Sequence, residues 1–234
     1  MDTALLFSGG KDSLACLYLY QDIWEELPVI WVNTGANYPE MIEYMEGWKK
    51  RLPHFHEVKS NQPKHIEEHG WPVDVLPVNN TALGMMVSGG TGPLMQSYLD
   101  CCATNIWFPI HKAVVELGFN KAIKGQRNGD RLKSTARDGT AIYGVTYLMP
   151  IQDWTTQQVF SFLKEKRADL PPGYLQGEKT GRDCWDCTAY LKDNQKRIEN
   201  LPKDKKLEIR RRLGMIDKAV REQWSPSGGN NPNY

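Results

Sequence analysis

Two groups of residues in this 234-residue sequence have the types and spacing that chemistry requires. The first is Ser8-Gly9-Gly10-Lys11-Asp12-Ser13, directly behind the short apolar run Thr3–Phe7. An anion needs donors and no side-chain obstruction. Gly9 and Gly10 let the backbone curl so that successive N–H groups converge on a phosphate, and a helix beginning there adds its positive end. Lys11 supplies a full charge, and the hydroxyls of Ser8 and Ser13 supply further donors. The pattern is neither the three-glycine dinucleotide fingerprint nor the Walker loop, which places Lys immediately before Ser/Thr.

The second group is sulfur. Four of the five cysteines form two pairs, Cys101-Cys102 and Cys184-Trp185-Asp186-Cys187. Such pairs serve as zinc ligands, as a redox dithiol, as iron–sulfur ligands or as plain structural cysteines. Adjacent cysteines fit a structural zinc site poorly, because neighbouring side chains diverge. The spacing therefore leads us to expect an iron–sulfur centre, with the other readings open. Cys16 stands apart in Leu14–Leu19 and reads as a small core residue. Arg127 and Arg131 are further candidates, since a guanidinium fork matches phosphate or sulfate. His54 and His56, and likewise His65 and His69, share a face, but no Cys or carboxylate at a fitting spacing makes them metal ligands; we take them as surface histidines.

These residues need elements to hold them. Thr3–Phe7 and Pro28–Asn33 are continuous apolar runs of strand length, His54–Val58 alternates, and helical spacing fills Asp12–Gln21 and Pro39–Arg51. Strand and helix in alternation predict a parallel sheet covered on both faces. Further strands are expected at 121–125 and 143–150, and helices at 101–117, at 153–166 with Asp153 as N-cap, and over the basic stretch 194–224. The four glycines and proline within 84–93 predict a loop over 84–97. The expected organisation is a nucleotide-binding domain over 1–190 carrying the sulfur ligands, a basic helical extension over 191–224 and a frayed tail over 225–234.

Bulk composition narrows the class. Net charge is +1, so the chain has no general pull toward nucleic acid. Basic residues are nevertheless concentrated, six Lys/Arg against one acid in 121–137 and eleven against six in 191–224; a solvated face and a nucleic-acid surface both fit. No apolar run approaches membrane-spanning length and no basic leader precedes the first strand, so the expected setting is the cytoplasm, with no membrane partner.

Ser8–Ser13 after an N-terminal strand resembles the PP-loop of the adenine nucleotide alpha-hydrolase superfamily. Other segments follow in register. Cys101-Cys102 with Pro109, then Cys184-x-x-Cys187-Thr188, is similar to the cluster signature of assimilatory adenylyl-sulfate (APS) reductases. Asn33-Thr34-Gly35 with Pro39-Glu40, Gly125-Gln126-Arg127 with Arg131, Pro150–Trp154 and Gly173-Tyr174 resemble further segments of the phosphoadenylyl-sulfate (PAPS) and APS reductases. The resemblance covers residues 3–190. It implies the doubly wound, mostly parallel α/β fold with a helical C-terminal extension. It also implies nucleotide contacts from Ser8, Gly9, Gly10, Lys11, Asp12, Ser13, Asn33, Thr34, Gly35, Gly125, Arg127 and Arg131. Cys101, Cys102, Cys184 and Cys187 would hold a 4Fe-4S cluster, and an adenine nucleotide (ATP or adenylyl sulfate) would bind beside it.

Departures from that family matter. Its reductases end in a Glu-Cys-Gly-x-His segment whose thiolate attacks the sulfonucleotide sulfur; here no cysteine follows Cys187. Ser-Gly-Gly-Lys-Asp-Ser is closer to relatives that consume ATP, in which Lys11 sits on phosphate oxygens, Asp12 helps hold Mg2+, and Lys11, Asp12 and Arg127 form the catalytic set. Asn33 and Asn105 replace the family's usual Asp and Arg/Lys. The first functional expectation is therefore attack at the ATP α-phosphate, of ATP-pyrophosphatase type, coupled to sulfur transfer through the cluster. The alternative is an APS/PAPS reductase whose thiol comes from a partner protein. A third reading is a non-enzymatic subunit responding to nucleotide or redox state. All three involve an adenine nucleotide, and the first two also an electron- or sulfur-donor protein; a nucleic-acid acceptor is a weaker expectation.

Overall fold

The computed structural model describes residues 2–130, 136–178 and 181–224. Two compact units emerge from the chain: one of residues 1–60 and 104–184, the other of 61–103 and 185–234.

The first unit is built on a six-stranded sheet. Its strands are β1 (Thr3–Leu6), β2 (Val29–Asn33), β3 (Phe55–Lys59), β6 (Lys121–Ile123), β7 (Thr140–Ile142) and β8 (Val145–Leu148), in the order β3-β2-β1-β6-β8-β7. All pairs are parallel except β7–β8. Parallel neighbours require crossovers, and helices provide them. These are α1 (Lys11–Leu19), α2 (Pro39–Arg51) and α6 (Phe108–Glu116); α7 (Thr156–Glu165) follows the last strand and packs with α1 on one face of the sheet. The apolar runs of β1 and β2 split by period two between the sheet faces. Leu5, Phe7, Val29 and Trp31 join Leu14, Leu17, Met45, Trp48, Val159 and Leu163 on one side. Ala4, Leu6 and Ile30 join Ala113 and Val114 on the other. A strand with both faces covered cannot alternate with polar residues, which is why its sequence is continuously apolar.

The order places β1 between β2 and β6, with the chain running outward on either side. That reversal is a topological switch point, and the crevice beyond the carboxyl ends of such strands is where ligands bind in this architecture. Ser8, Asn33–Gly35 and Gly125 all follow the carboxyl ends of β1, β2 and β6.

Several local features differ from expectation, each for an identifiable reason. The strand expected over 143–150 is β8 with β7 folded back on it, because Tyr143 (φ 46°) and Gly144 (φ 83°) make the two-residue turn. Thr155, not Asp153, caps α7: its hydroxyl accepts from Gln158 N–H while Gln158 reaches back, the reciprocal box. Asp153 instead accepts from Asn128.

The second unit contains α3 (Gln62–His69), β4 (Trp71–Val73), α4 (Ala82–Ser88), β5 (Met95–Ser97) and α5 (Tyr98–Cys102), with β4 and β5 parallel. The loop expected over 84–97 is thus partly helical, because Thr81 caps α4 by accepting from Gly84 N–H. The helix expected over 101–117 is broken into α5, a widened turn over 103–107 and α6. Pro109 has no N–H to continue the ladder there. After α8 (Pro172–Leu175) of the first unit, the second unit ends in α9 (Leu191–Glu199) and α10 (Lys203–Trp224). Val73, Met95, Ile216 and Ala219 form its small core. Among the described residues no helix is long and apolar enough to cross a membrane.

On α10, Glu208 is held at about 2, against an ordinary 4.5, by hydrogen bonds from Arg211 and Arg212. A depressed carboxylate contributes stability that is complete above its unfolded-state pKa and is lost as pH falls through the folded-state value. Glu208→Gln should therefore flatten the acid side of the stability profile between pH 4.5 and 2, read as urea midpoints against pH for both proteins. Parallel profiles would refute the assignment.

Candidate functional site

The loop after β1 is shaped by its glycines. Gly9 has φ 75°, and a β-carbon on it would come within 2.8 Å of Met41 Cε. Gly10 is the N-cap of α1 and has no side chain to cap the first turn, although a distant side chain takes the Lys11 N–H. Ser8 and Ser13 hydroxyls lie 3.1 Å apart, and Ser13 Oγ donates to Gly10 C=O at 3.0 Å, fixing the loop from inside.

Charge is organised around Asp12. Lys11 Nζ approaches Asp12 Oδ2 at 2.5 Å, and Arg127 Nε approaches Asp12 Oδ1 at 2.7 Å. The Arg127 contact is an ion pair without hydrogen-bond alignment, since Nε and Oδ1 each lack a directed partner among the described residues. Burial pushes the Asp12 carboxyl up despite both cations. Arg127 is only 5 % exposed. Its guanidinium also reaches Asp130 Oδ1 (3.1 Å), Trp154 C=O and Thr156 Oγ1 (both 3.2 Å), and its N–H donates to Asp130 Oδ2 (2.8 Å). Arg127 is thus fixed in orientation by β6's loop and by the start of α7. Arg131 lies outside the described residues. A pocket of about 270 Å³ is lined by Arg127 with Gln126, Asn128, Arg137 and Gln152.

At the end of β2, Asn33 donates to Glu57 at 2.9 Å and accepts from Gly35 N–H at 3.0 Å. Burial opposes ionisation of Glu57, but Asn33 and Lys49 outweigh it and hold the carboxyl below its usual range. Thr34 donates through N–H and hydroxyl to Asn37 Oδ1. The sequence-expected residues of the loop, of the β2 turn and of Gly125-Arg127 thus lie in one unit, at neighbouring strand ends.

Four contributors were not singled out as site residues from sequence. Tyr174 OH accepts from Lys11 N–H at 3.2 Å, placing α8 against the loop; burial pushes this phenol up. Asp130 and Thr156 hold Arg127 as described, and Asp130, the lone acid of 121–137, was the one available signal. Arg182, 3 % exposed, is bound by Glu178 (2.8 Å and 2.5 Å) and Glu40 and lies over the Tyr38 ring. It secures the segment that carries Gly181, where an added β-carbon would be 3.6 Å from Gly10 Cα.

The expected metal centre is overturned. Among the described residues no group of three or more His, Cys, Asp or Glu could hold a metal ion. The thiols have other partners: Cys184 meets Thr34 Oγ1 at 3.4 Å, Cys102 meets Tyr190 OH at 3.7 Å, and Cys187 donates to Ala189 C=O. Burial pushes the Cys101 thiol up to about 12. A 4Fe-4S cluster on Cys101, Cys102, Cys184 and Cys187 does not fit this arrangement, and Mg2+ at Asp12 does not fit either, since Lys11 and Arg127 occupy both carboxylate oxygens. The reading that required the cluster, ATP α-phosphate chemistry coupled to sulfur transfer, is corrected with it. Cys16 is fully buried, as expected, and burial pushes its thiol up.

The model of the phosphoadenosine phosphosulfate reductase domain matches residues 2–190. A phosphoadenosine 5'-phosphosulfate reductase of Proteus mirabilis is 22% identical over 174 residues, which is 73% of this chain and 64% of that enzyme's length. The crystal structure of the PAPS reductase from Candida auris, a phosphate complex, superposes with a TM-score of 0.54 at 16% identity, covering 79% of this chain and 82% of that one; it supports the fold.

Gly125 joins the two halves of the site. A β-carbon there would stand 2.6 Å from Asp12 C and Ser13 N, both backbone atoms that cannot swing aside. Gly125→Ala should therefore destabilise the chain by about 1–3 kcal/mol, the usual cost of forced overpacking. A urea midpoint equal to that of the unsubstituted chain would show that β6 and the loop can separate freely.

Proposed function

The chain belongs to the phosphoadenosine phosphosulfate reductase domain family, and from that premise we propose that it is a sulfonucleotide reductase whose attacking thiol is supplied by a partner protein. The observation that carries the reading is the uncapped start of α1 behind Gly9-Gly10, with Lys11 and Arg127 both drawn to Asp12. Such a set matches the sulfated phosphate of adenylyl sulfate, with or without a 3'-phosphate.

In this reading the loop amides, Lys11, Ser8 and Ser13 hold the α-phosphate, while Asn33, Thr34 and Gly35 border the nucleoside. Asp12 positions Lys11 and Arg127. A donor thiolate attacks the sulfate sulfur; the bond from sulfur to the phosphate oxygen breaks, and its electron pair leaves with the nucleotide. Lys11 and Arg127 stabilise the charge growing on that oxygen. The donor now carries a thiosulfonate. Its second thiol attacks the first sulfur, sulfite departs with the electron pair, and the donor is left as a disulfide. Two electrons pass from dithiol to sulfate, so the balance closes without a metal. Cys16, on the helix behind the glycine loop, is sealed in the core and does not serve as that thiol.

The test is sulfite release from PAPS and from adenylyl sulfate with reduced thioredoxin as dithiol. Sulfite from either is expected, and Lys11→Ala should lower kcat/KM about 100-fold, as for loss of one transition-state donor. Nucleotide binding without sulfite from either substrate would overturn the reductase reading in favour of a binding subunit.

A further inference from the structure

A third cation stands beside the glycine loop, and unlike Lys11 and Arg127 it holds no carboxylate. Lys124 directly follows β6 and is half-buried. Its N–H donates to Leu148 C=O at 2.8 Å, which keeps the backbone in strand register. Its ammonium forms no hydrogen bond or ion pair with any described residue, yet it is not sealed from solvent. Partial burial pushes the amine below its ordinary range, against the pull of Asp130. Asp130 is the acid that Lys124 senses, but both its oxygens are engaged by Arg127, Oδ1 by the guanidinium and Oδ2 by the N–H. A cation drawn partly out of water without a counterion is costly to the chain alone; an anion arriving beside it removes that cost.

Strand register indicates which anion. β6 pairs with β1 so that Ile123 lies level with Leu5. Lys124 is therefore level with Leu6, just before the start of the glycine loop. Ala4 and Leu6 share a sheet face with Ala122, and period two puts Ser8 and Lys124 on that same face. The four-carbon stem of Lys124 is about as long as two residues of strand, at roughly 3.3 Å each. Asp130, beyond the carboxyl end of β6, marks the direction the ammonium takes. The sheet order β2-β1-β6 sets Lys124 and the Asn33–Gly35 turn on opposite sides of the loop. With the α-phosphate on the loop and the nucleoside on the β2 side, the group beyond the α-phosphate falls on the β6 side. In adenylyl sulfate that group is the sulfate; a 3'-phosphate, carried on the ribose, stays with the nucleoside. We propose that Lys124 binds the terminal sulfate and so distinguishes a sulfonucleotide from the AMP left after its reduction. The proposal rests on the reading of the chain as a sulfonucleotide-binding protein and needs no assumption about the thiol.

Calorimetric titration of the full chain without any dithiol measures binding with no turnover. The unsubstituted chain should bind adenylyl sulfate more tightly than AMP. Lys124→Met should weaken adenylyl sulfate about tenfold, the size of one lost charge-assisted hydrogen bond, and leave AMP within about twofold. Lys124→Arg should keep most of the preference. A second readout needs no variant: adenylyl sulfate, and not AMP, should protect Lys124 from reductive methylation, followed by peptide mass spectrometry. No preference in the unsubstituted chain, no loss of adenylyl sulfate affinity in Lys124→Met, equal loss of both ligands in a variant whose urea midpoint is unchanged, a loss seen with PAPS alone, or equal protection by both ligands would each overturn the proposal. Discrimination that depends on Lys124, in a chain that releases no sulfite, would sink the reductase reading and leave this one standing.

Discussion

One carboxylate, Asp12, holds two cations that arrive from different parts of the chain. Lys11 comes from the loop behind β1 and Arg127 from the segment behind β6, and each takes one oxygen. The pairing is possible only because Gly125 lets the two backbones touch. Burial raises the Asp12 pKa even against both charges, so the cluster is not primarily a source of stability. Buried ion pairs commonly fail to recover their desolvation cost, while removal of one partner leaves a strongly destabilising orphan charge. The gain is positional. Arg127 is locked by Asp130, Trp154 and Thr156 as well, and a rigid guanidinium loses little freedom when it meets an anion.

What was legible in the sequence is what local rules determine. The β1 and β2 runs were continuous and apolar because both their faces are covered, and the glycine loop announced itself through residues that act within six positions of each other. The resemblance in register over most of the chain then placed Asn33–Gly35 and Gly125-Arg127 beside that loop, and the fold puts these residues at the ends of neighbouring strands. Contacts between distant segments were not legible. Tyr174 is 163 positions from Lys11, and nothing in Gly173-Tyr174 states that its hydroxyl meets a loop amide. The β7–β8 turn was hidden for a different reason: Tyr143 takes a positive φ without being Gly or Asn, so the usual turn signal is only half present.

The cysteines show the same limit from the other side. Spacing records separation along the chain; ligation needs convergence in space and deprotonation together. Cys184 is matched to Thr34, next to the β2 turn, and it bridges to Asn37. Cys102 is matched to Tyr190, a residue itself held by Asp74 through its backbone N–H. Each thiol is thus accounted for by a local polar neighbour or by burial. Cys101 lies near enough to Cys102 and Cys187 for their charges to raise it further, yet among the described residues no group of three or more His, Cys, Asp or Glu could hold a metal ion.

The charge balance of the loop bears on how an anion is received. Lys11 and Arg127 face Asp12 and Asp130, so the free site is close to neutral and its cations are already paired. A phosphate cannot simply add to an open positive patch; it must share both cations with carboxylates that stay in place. The net attraction then rests on donors that carry no counterion, the loop amides and the uncapped start of α1, whose partial positive charge is fixed by the fold. Tyr174 occupies one of those amides. The arrangement favours a ligand that presents several oxygens at once, spread between loop and guanidinium, over a small single-point anion, and a sulfated phosphate has that extended form.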